Sequence, residues 1–220
     1  MTELYFIRHG KTKWNLEGRY QGGHGDSPLL PESYADIEKL AHFLAAHRYQ
    51  ALYTSPLPRA KMTAIFLQEQ LAQTFPIYID DGLREFNLGK MEGMHFRDVE
   101  RRFPQQIAAF RSAPAQYDPR PIQGETFPQV IQRMRGVVAK AIKRDRTGHA
   151  RILFVSHGAA LTALIQSLLG TPLADIRKQG GLTNTSTTII TTADAGQTFQ
   201  LVKWNETSYL HRSLSKTDTI

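Results

Sequence analysis

The chain has 220 residues, a net charge of +7 and 41% hydrophobic residues, proportions ordinary for a globular protein with a substantial core. It contains no cysteine, which excludes disulfides, thiolate catalysis and cysteine-ligated metal and is compatible with the cytoplasm. No apolar run approaches the ~20 residues of a membrane span, and Glu3 and Arg8 spoil the pattern of a secretion signal, so a cytoplasmic protein with no membrane partner is expected.

In chain order, Leu4-Tyr5-Phe6-Ile7 suits a strand buried on both faces. It stops at Arg8-His9, where Gly10 is expected to let the backbone turn sharply. Lys13 to Asp26 reads as a polar, glycine-containing loop. Apolar residues at helical spacing predict a helix over Ser33–Arg48 and a second from Pro58 to about Gln73, with short strands at 51–54 and 77–79. Residues 90–125 break this rhythm: they carry four prolines (104, 114, 119 and 121) and one predicted helix, Phe96–Phe110, and read as a basic cap. Regularity returns with a helix over Phe127–Arg144, a strand ending at Ser156-His157-Gly158, a helix to Gly170, and strands at Ser186–Thr191 and Thr198–Trp204.

Short apolar strands alternating with helices predict an α/β fold, a three-layer sandwich with a mainly parallel central sheet, helices on both faces and a small irregular cap. Residues 1–212 read as one domain, with 90–125 as the cap insertion and 213–220 as a polar C-terminal tail. Between Arg97 and Arg151 there are 12 Lys/Arg against 5 Asp/Glu, while the remainder balances at 15 against 15. That surplus fits either a solvated helical face or a pocket for small anions. Nucleic acid is not expected as a partner, because no recognition motif accompanies the charge.

Two strand ends share one pattern: a four-residue apolar run, then Arg8-His9-Gly10 or Ser156-His157-Gly158. If both strands lie in one parallel sheet, both histidines emerge at the same edge, where open α/β sheets hold their ligands. Gly10-Lys11-Thr12 matches the end of a nucleotide-binding P-loop, but that pattern needs a glycine where Tyr5 stands. The other histidines, at 24, 42, 47, 95, 149 and 211, show no paired ligand spacing, and no metal site is expected.

The opening Arg8-His9-Gly10-x-Thr12-x-x-Asn15 resembles the histidine phosphatase superfamily, of phosphoglycerate mutase type. Further matches follow in order: Gln21-Gly22, Asp26-Ser27-Pro28-Leu29, Tyr53 to Ala60 with Thr63-Ala64, Leu83-Arg84-Glu85 with Gly89 and Glu92-Gly93, Gly124-Glu125, and Ser156-His157-Gly158. The resemblance implies a phosphomonoester hydrolase acting on small phosphorylated metabolites without a cofactor. His9 would be the nucleophile, Arg8, Arg59 and His157 would hold the phosphoryl group, and Glu85 would move the proton. Asn15, Gln21, Gly22 and Gly158 would add phosphate contacts, and Thr12 would order the loop. Neutral imidazole is a competent nucleophile near pH 7, and guanidinium forks suit a dianionic phosphate.

Thr12 and Gly158 separate the chain from the acid phosphatase branch, which resembles Arg-His-Gly-x-Arg-x-Pro with an aspartate after the second histidine. Cofactor-dependent mutases resemble Glu-Arg-x-Tyr-Gly after the acid, whereas Glu85 is followed by Phe86-Asn87-Leu88-Gly89. A phosphatase is therefore favoured over a 2,3-bisphosphoglycerate-dependent mutase, and over a silent phosphate-binding regulator on the same scaffold. Arg97, Arg101, Arg102 and Arg111 suggest tolerance for a second negative charge on the substrate; Arg84 and Glu92 read as scaffold partners. The sequence leaves the oligomeric state open.

Overall fold

A computed structural model describes residues 1–215 and 217–219. Six strands, β1 (Thr2–Arg8), β2 (Ala51–Thr54), β3 (Ile77–Ile79), β4 (Arg151–Ser156), β5 (Thr187–Thr192) and β6 (Gln200–Glu206), form one sheet in the order β3-β2-β4-β1-β5-β6. The first four of these in spatial order run parallel, while β5 pairs antiparallel with both β1 and β6. The sheet is therefore mixed, with its parallel part on the side of β1 and β4.

Those two central strands are apolar on both faces because both faces are covered. Leu4, Phe6, Ile152 and Phe154 enter one core, with Phe6 stacked on Phe154 at 5.0 Å between ring centroids. That core is closed by α6 (Phe127–Arg144) and α7 (Gly158–Leu168), through residues such as Met134, Val138, Leu161 and Leu164. Tyr5, Ile7, Leu153 and Val155 point the other way, into a second core under α2 (Pro31–Leu44) and α3 (Pro58–Leu71). The period-two alternation of side chains thus sends each strand into both cores.

Three local readings are corrected. The stretch Phe96–Phe110 is two helices, α4 (Phe96–Arg102) and α5 (Pro104–Ser112), broken at Phe103. Pro104 has no N–H to continue a helix and instead opens the next one at its first position. Within the expected loop after Lys13 lies a short helix, α1 (Lys13–Glu17). Thr12 and Asn15 form a capping box on it, each side chain accepting from the other's backbone N–H, at 3.2 and 3.1 Å. Gly10 does not have the left-handed backbone of a glycine-only turn. It is small because a Cβ there would lie 3.0 Å from Ser33 Cβ and 3.2 Å from Leu29 Cδ2, so α2 packs directly on the strand end.

The basic segment 90–125 packs onto the sheet domain: Val99, Ile107, Phe110, Tyr117 and Ile122 join the core that contains Phe86 and Phe127. Its arginines divide. Arg97, Arg101 and Arg102 are exposed, with Arg101 paired to Asp98, and only Arg111 turns inward, to the Tyr20 hydroxyl at 2.7 Å. In the C-terminal stretch 213–220, residues 216 and 220 lie outside the described residues. The described part returns to the strand ends, where Asp218 is fully buried and paired with Lys11 at 3.2 Å and Arg212 at 3.0 Å.

Candidate active site

Parallel pairing sets Arg8 opposite Ser156, so the next residues, His9 and His157, leave adjacent strands side by side. Their rings stand 5.2 Å apart, and both are buried. The His9 N–H donates to Ser156 O at 3.0 Å, and its carbonyl accepts from Asn184 Nδ2 at 3.1 Å, which fixes the backbone at this point.

Tautomers follow from the partners, because a carbonyl oxygen only accepts. His9 Nδ1 lies 2.7 Å from Gly10 O and must donate to it, which leaves the Nε2 lone pair free. His157 Nε2 lies 2.8 Å from Ser55 Oγ. That oxygen also accepts the Leu57 N–H at 3.3 Å, and where it gives its own proton to Nε2, Nδ1 of His157 carries the ring proton. Burial first, then the Arg59 charge, hold the proton affinity of both rings well below the ordinary histidine value; Arg8 adds to this at His9 and His9 itself at His157. Both imidazoles are neutral at pH 7.

This has a consequence for stability. An unfolded chain protonates these rings near 6.5, the ordinary value, whereas the fold keeps them neutral to lower pH. The unfolded state therefore binds more protons, and stability is lost as pH falls below about 6.5. Urea midpoints are expected to drop between pH 7 and 5.5, and to drop less in His157→Gln. Equal slopes in the two proteins would refute the assignment.

Arg8 and Arg59 are 1% and 2% exposed. Arg8 directs Nη1 to the carbonyls of Leu182 and Asp218 (2.8 Å for the latter), while Gly158 leaves room for its stem: a Cβ there would sit 3.1 Å from Arg8 Nε. Burial pulls the Arg8 proton affinity down to about 10, so it remains a cation. Arg59 gives Nη1 to Gly25 O and Asp26 Oδ1, at 2.8 and 2.7 Å, and Nη2 to Gly22 O at 2.8 Å. Those carbonyls belong to a loop threaded over the Glu92 carboxylate, which accepts the N–H groups of Gly23, His24 and Gly25. Gly22 there has φ +66° and lies against the Glu92 side chain, so only glycine fits.

Asn15 Oδ1 is consumed by Thr12, and Gln21 Nε2 donates to Thr12 Oγ1 at 2.9 Å. Glu85 stands across the cleft at the start of α7, its carboxylate accepting from the N–H groups of Phe86, Ala159 and Ala160 at 2.9, 3.2 and 2.8 Å. Arg133 holds the segment behind it, donating to the carbonyls of Gly82, Arg84 and Glu85 while its other edge pairs with Glu125.

The cleft encloses about 390 Å³ including its mouth, and Arg8, His9, Asn15, Gln21, Gly22, Arg59, Glu85 and Gly158 all line it, with His157 beside His9. Three buried donors of this group, Arg8 Nε, Arg59 Nε and Asn15 Nδ2, have no hydrogen-bond partner among the described residues, and neither has the buried His157 Nδ1. Buried polar groups are rarely left so, and a cluster of donors of this kind suits an acceptor-rich ligand. Ser55, Glu125 and Glu92 fall within the sequence motifs but their positioning contacts could not be read there. Arg133 and Asn184 belong to no motif, and only the fold shows their contacts.

A neutral His9 imidazole with its Nε2 lone pair free, in a cleft lined also by the buried cations Arg8 and Arg59, is an arrangement suited to an anion. The chain belongs to the histidine phosphatase superfamily: the family model for its branch 1 matches residues 4–207. The "Probable phosphoglycerate mutase GpmB" of Cronobacter sakazakii is 32% identical over 175 residues, 78% of this chain and 77% of that protein. The "Metal-independent phosphoserine phosphatase" of Arabidopsis thaliana is 28% identical, covering 96% of this chain and 84% of that one. The solved structure of Bacillus stearothermophilus YhfR superposes with a TM-score of 0.87 at 34% identity, covering 96% of this chain and all of that one.

Proposed function

We propose that this chain is a metal-independent phosphomonoester hydrolase acting on small phosphorylated metabolites through a phosphohistidine on His9. The observation that carries this reading is the set of three unpartnered donors, with His157 Nδ1 beside them, around a free imidazole lone pair. A phosphoryl group with three peripheral oxygens satisfies such donors, and they are already in place as charge spreads in the transition state.

His9 Nε2 attacks phosphorus, the N–P bond forms and the P–O ester bond breaks. The departing alkoxide takes the proton of the Glu85 carboxyl. Glu85, now a carboxylate, takes a proton from water, whose oxygen attacks phosphorus as the N–P bond breaks. Inorganic phosphate leaves, and Glu85 is again protonated. Hydrolysis rather than mutase chemistry is supported at Phe86, which stands where the mutase pattern has arginine. Its ring is buried against Phe110 and Phe127, so it offers no cation to a phosphorylated cofactor.

The test is turnover of p-nitrophenyl phosphate and of 3-phosphoglycerate in chelator-treated buffer. Release of phosphate from both, with an acid-labile phosphoenzyme, is expected; conversion of 3- to 2-phosphoglycerate without phosphate release would establish the mutase instead. A smaller effect is expected at Ser55, whose hydroxyl holds the His157 Nε2 at 2.8 Å. Loss of that buried hydrogen bond in Ser55→Ala, at about 1–2 kcal/mol, is expected to lower kcat/KM roughly 5- to 30-fold. Unchanged steady-state kinetics would remove Ser55 from the mechanism.

A further inference from the structure

The loop that enters β5 grips the end of β1. Thr185 has a left-handed backbone, φ +61°, which residues branched at Cβ rarely adopt. In that conformation its N–H faces the carbonyls of Arg8 and His9, at 3.1 and 3.3 Å, and its own carbonyl accepts the Tyr209 hydroxyl at 2.6 Å. Such strain persists only where the surroundings over-determine it, and here it holds the strand end that carries the nucleophile.

Asn184, fully buried, stands among these contacts. Its backbone N–H donates to Asp218 O, the same oxygen that takes Arg8 Nη1, each at 2.8 Å. Its Nδ2 donates to His9 O at 3.1 Å and to Asn15 Oδ1 at 3.3 Å. A carbonyl oxygen only accepts, so the atom facing His9 O is the nitrogen. Both amide hydrogens are then in use, and the Asn184 side chain has no donor left for a ligand. Asn15 is in the opposite condition. The Thr12 N–H only donates, so the atom it meets is Oδ1, and that oxygen collects the Thr12 N–H, the Thr12 hydroxyl and the Asn184 amide at 3.1, 3.0 and 3.3 Å. Its Nδ2 is left buried and without a partner among the described residues, on a side chain that lines the cleft.

We propose that Asn184 is a positioning residue for the phosphoryl site: its one amide holds the carbonyl of His9 and turns the Asn15 amide so that Nδ2 serves the phosphoryl group. This rests on the hydrolase reading above. A flipped Asn15 would set its NH₂ group against the donors of Thr12 and Asn184 and present an oxygen to an anion. Three donors on Oδ1 oppose that flip, because each hydrogen bond would be lost and its buried donor left unpaired. The donor is thus aimed before the ligand arrives and needs no reorganisation during the reaction.

The test is calorimetric binding of inorganic phosphate to the 220-residue chain, which needs no turnover. Asn184→Ala is expected to weaken phosphate binding about 3- to 10-fold, the size of one neutral hydrogen bond. In an Asn15→Ala background there is no amide to aim, and the same substitution is expected to cost less than about 2-fold. Where Asn184→Ala gives no cooperative urea transition, Asn184→Ser, which keeps one donor, takes its place in the cycle, with the same coupling expected. Equal losses in the two backgrounds are what a merely structural role would give, and they would overturn the assignment, as would unchanged phosphate affinity in Asn184→Ala. Coupling in a protein that does not hydrolyse p-nitrophenyl phosphate would refute the hydrolase reading and keep the positioning role. Hydrolysis without coupling would refute the positioning role alone, and a wild type that binds no phosphate would overturn both.

Discussion

Replacing His9 by alanine is expected to abolish turnover, lowering kcat by about 10⁴-fold or more while the protein stays folded. The size of the effect follows from its place in the proposed reaction, as the group that forms the bond to phosphorus. His157 has its Nε2 engaged by Ser55. The backbone contacts that fix this position, from the His9 N–H to Ser156 O and from Asn184 to the His9 carbonyl, do not involve the imidazole and survive the substitution. The decisive measurement is acid-quenched labelling with a radioactive phosphomonoester. Label on the wild type that is acid-labile and base-stable, and none on His9→Ala, is the expected result. A phosphorylated His9→Ala protein would move the nucleophile elsewhere.

Glu85→Gln is expected to lower kcat by about 10²–10⁴-fold on alkyl phosphates, whose alkoxides need a proton to leave. The amide keeps the shape and can still accept from the Ala160 N–H, so position is preserved while proton transfer is lost. The loss is expected to depend on the step. p-Nitrophenolate departs without a proton, so the first half-reaction on p-nitrophenyl phosphate is little affected. The attack of water still lacks its base. Stopped-flow kinetics of Glu85→Gln with that substrate are therefore expected to show a burst of nitrophenolate, then slow turnover with phosphoenzyme accumulated. Equal losses on alkyl and aryl substrates, with no burst, would assign Glu85 a purely structural part.

Two side chains hold the backbone of the loops that carry these groups. Glu92 gathers the N–H groups of Gly23, His24 and Gly25, and the carbonyls of the same loop hold Arg59. Arg133 performs the converse task, using its donors to fix the carbonyls of Gly82, Arg84 and Glu85. One carboxylate and one guanidinium thus set the two walls between which a phosphoryl group would sit.

Much of this was legible in the chain itself, and for a local reason. Two runs of four apolar residues, each ended by a polar residue, His and Gly, announce buried parallel strands whose ends meet at one edge. Register does the rest, pairing Arg8 with Ser156. The helices over Pro31–Leu44 and Pro58–Leu71 follow from apolar periodicity; the first, expected over Ser33–Arg48, begins two residues earlier with Pro31 at its first position and ends four residues earlier. Where local reading failed, a local signal was overridden or outweighed. The Phe96–Phe110 periodicity runs across Pro104, but the missing N–H breaks the helix there. Gly10 looked like a turn glycine and is instead a contact glycine under Ser33.

What the sequence by itself determined is the residue types at the strand ends and the sheet edge to which they belong, because strand and helix periods are short-range properties of the chain. What only the tertiary structure decided is which nitrogen of each side chain is left free. In Arg8, Nε is left without a partner among the described residues while the carbonyls of Leu182 and Asp218, 174 and 210 residues away, consume Nη1. His157 presents Nδ1 because Ser55, 102 residues away, holds Nε2. Hydrogen-bond partners so distant along the chain leave no periodic trace in sequence, and it is they that turn a set of polar residues into an oriented pocket.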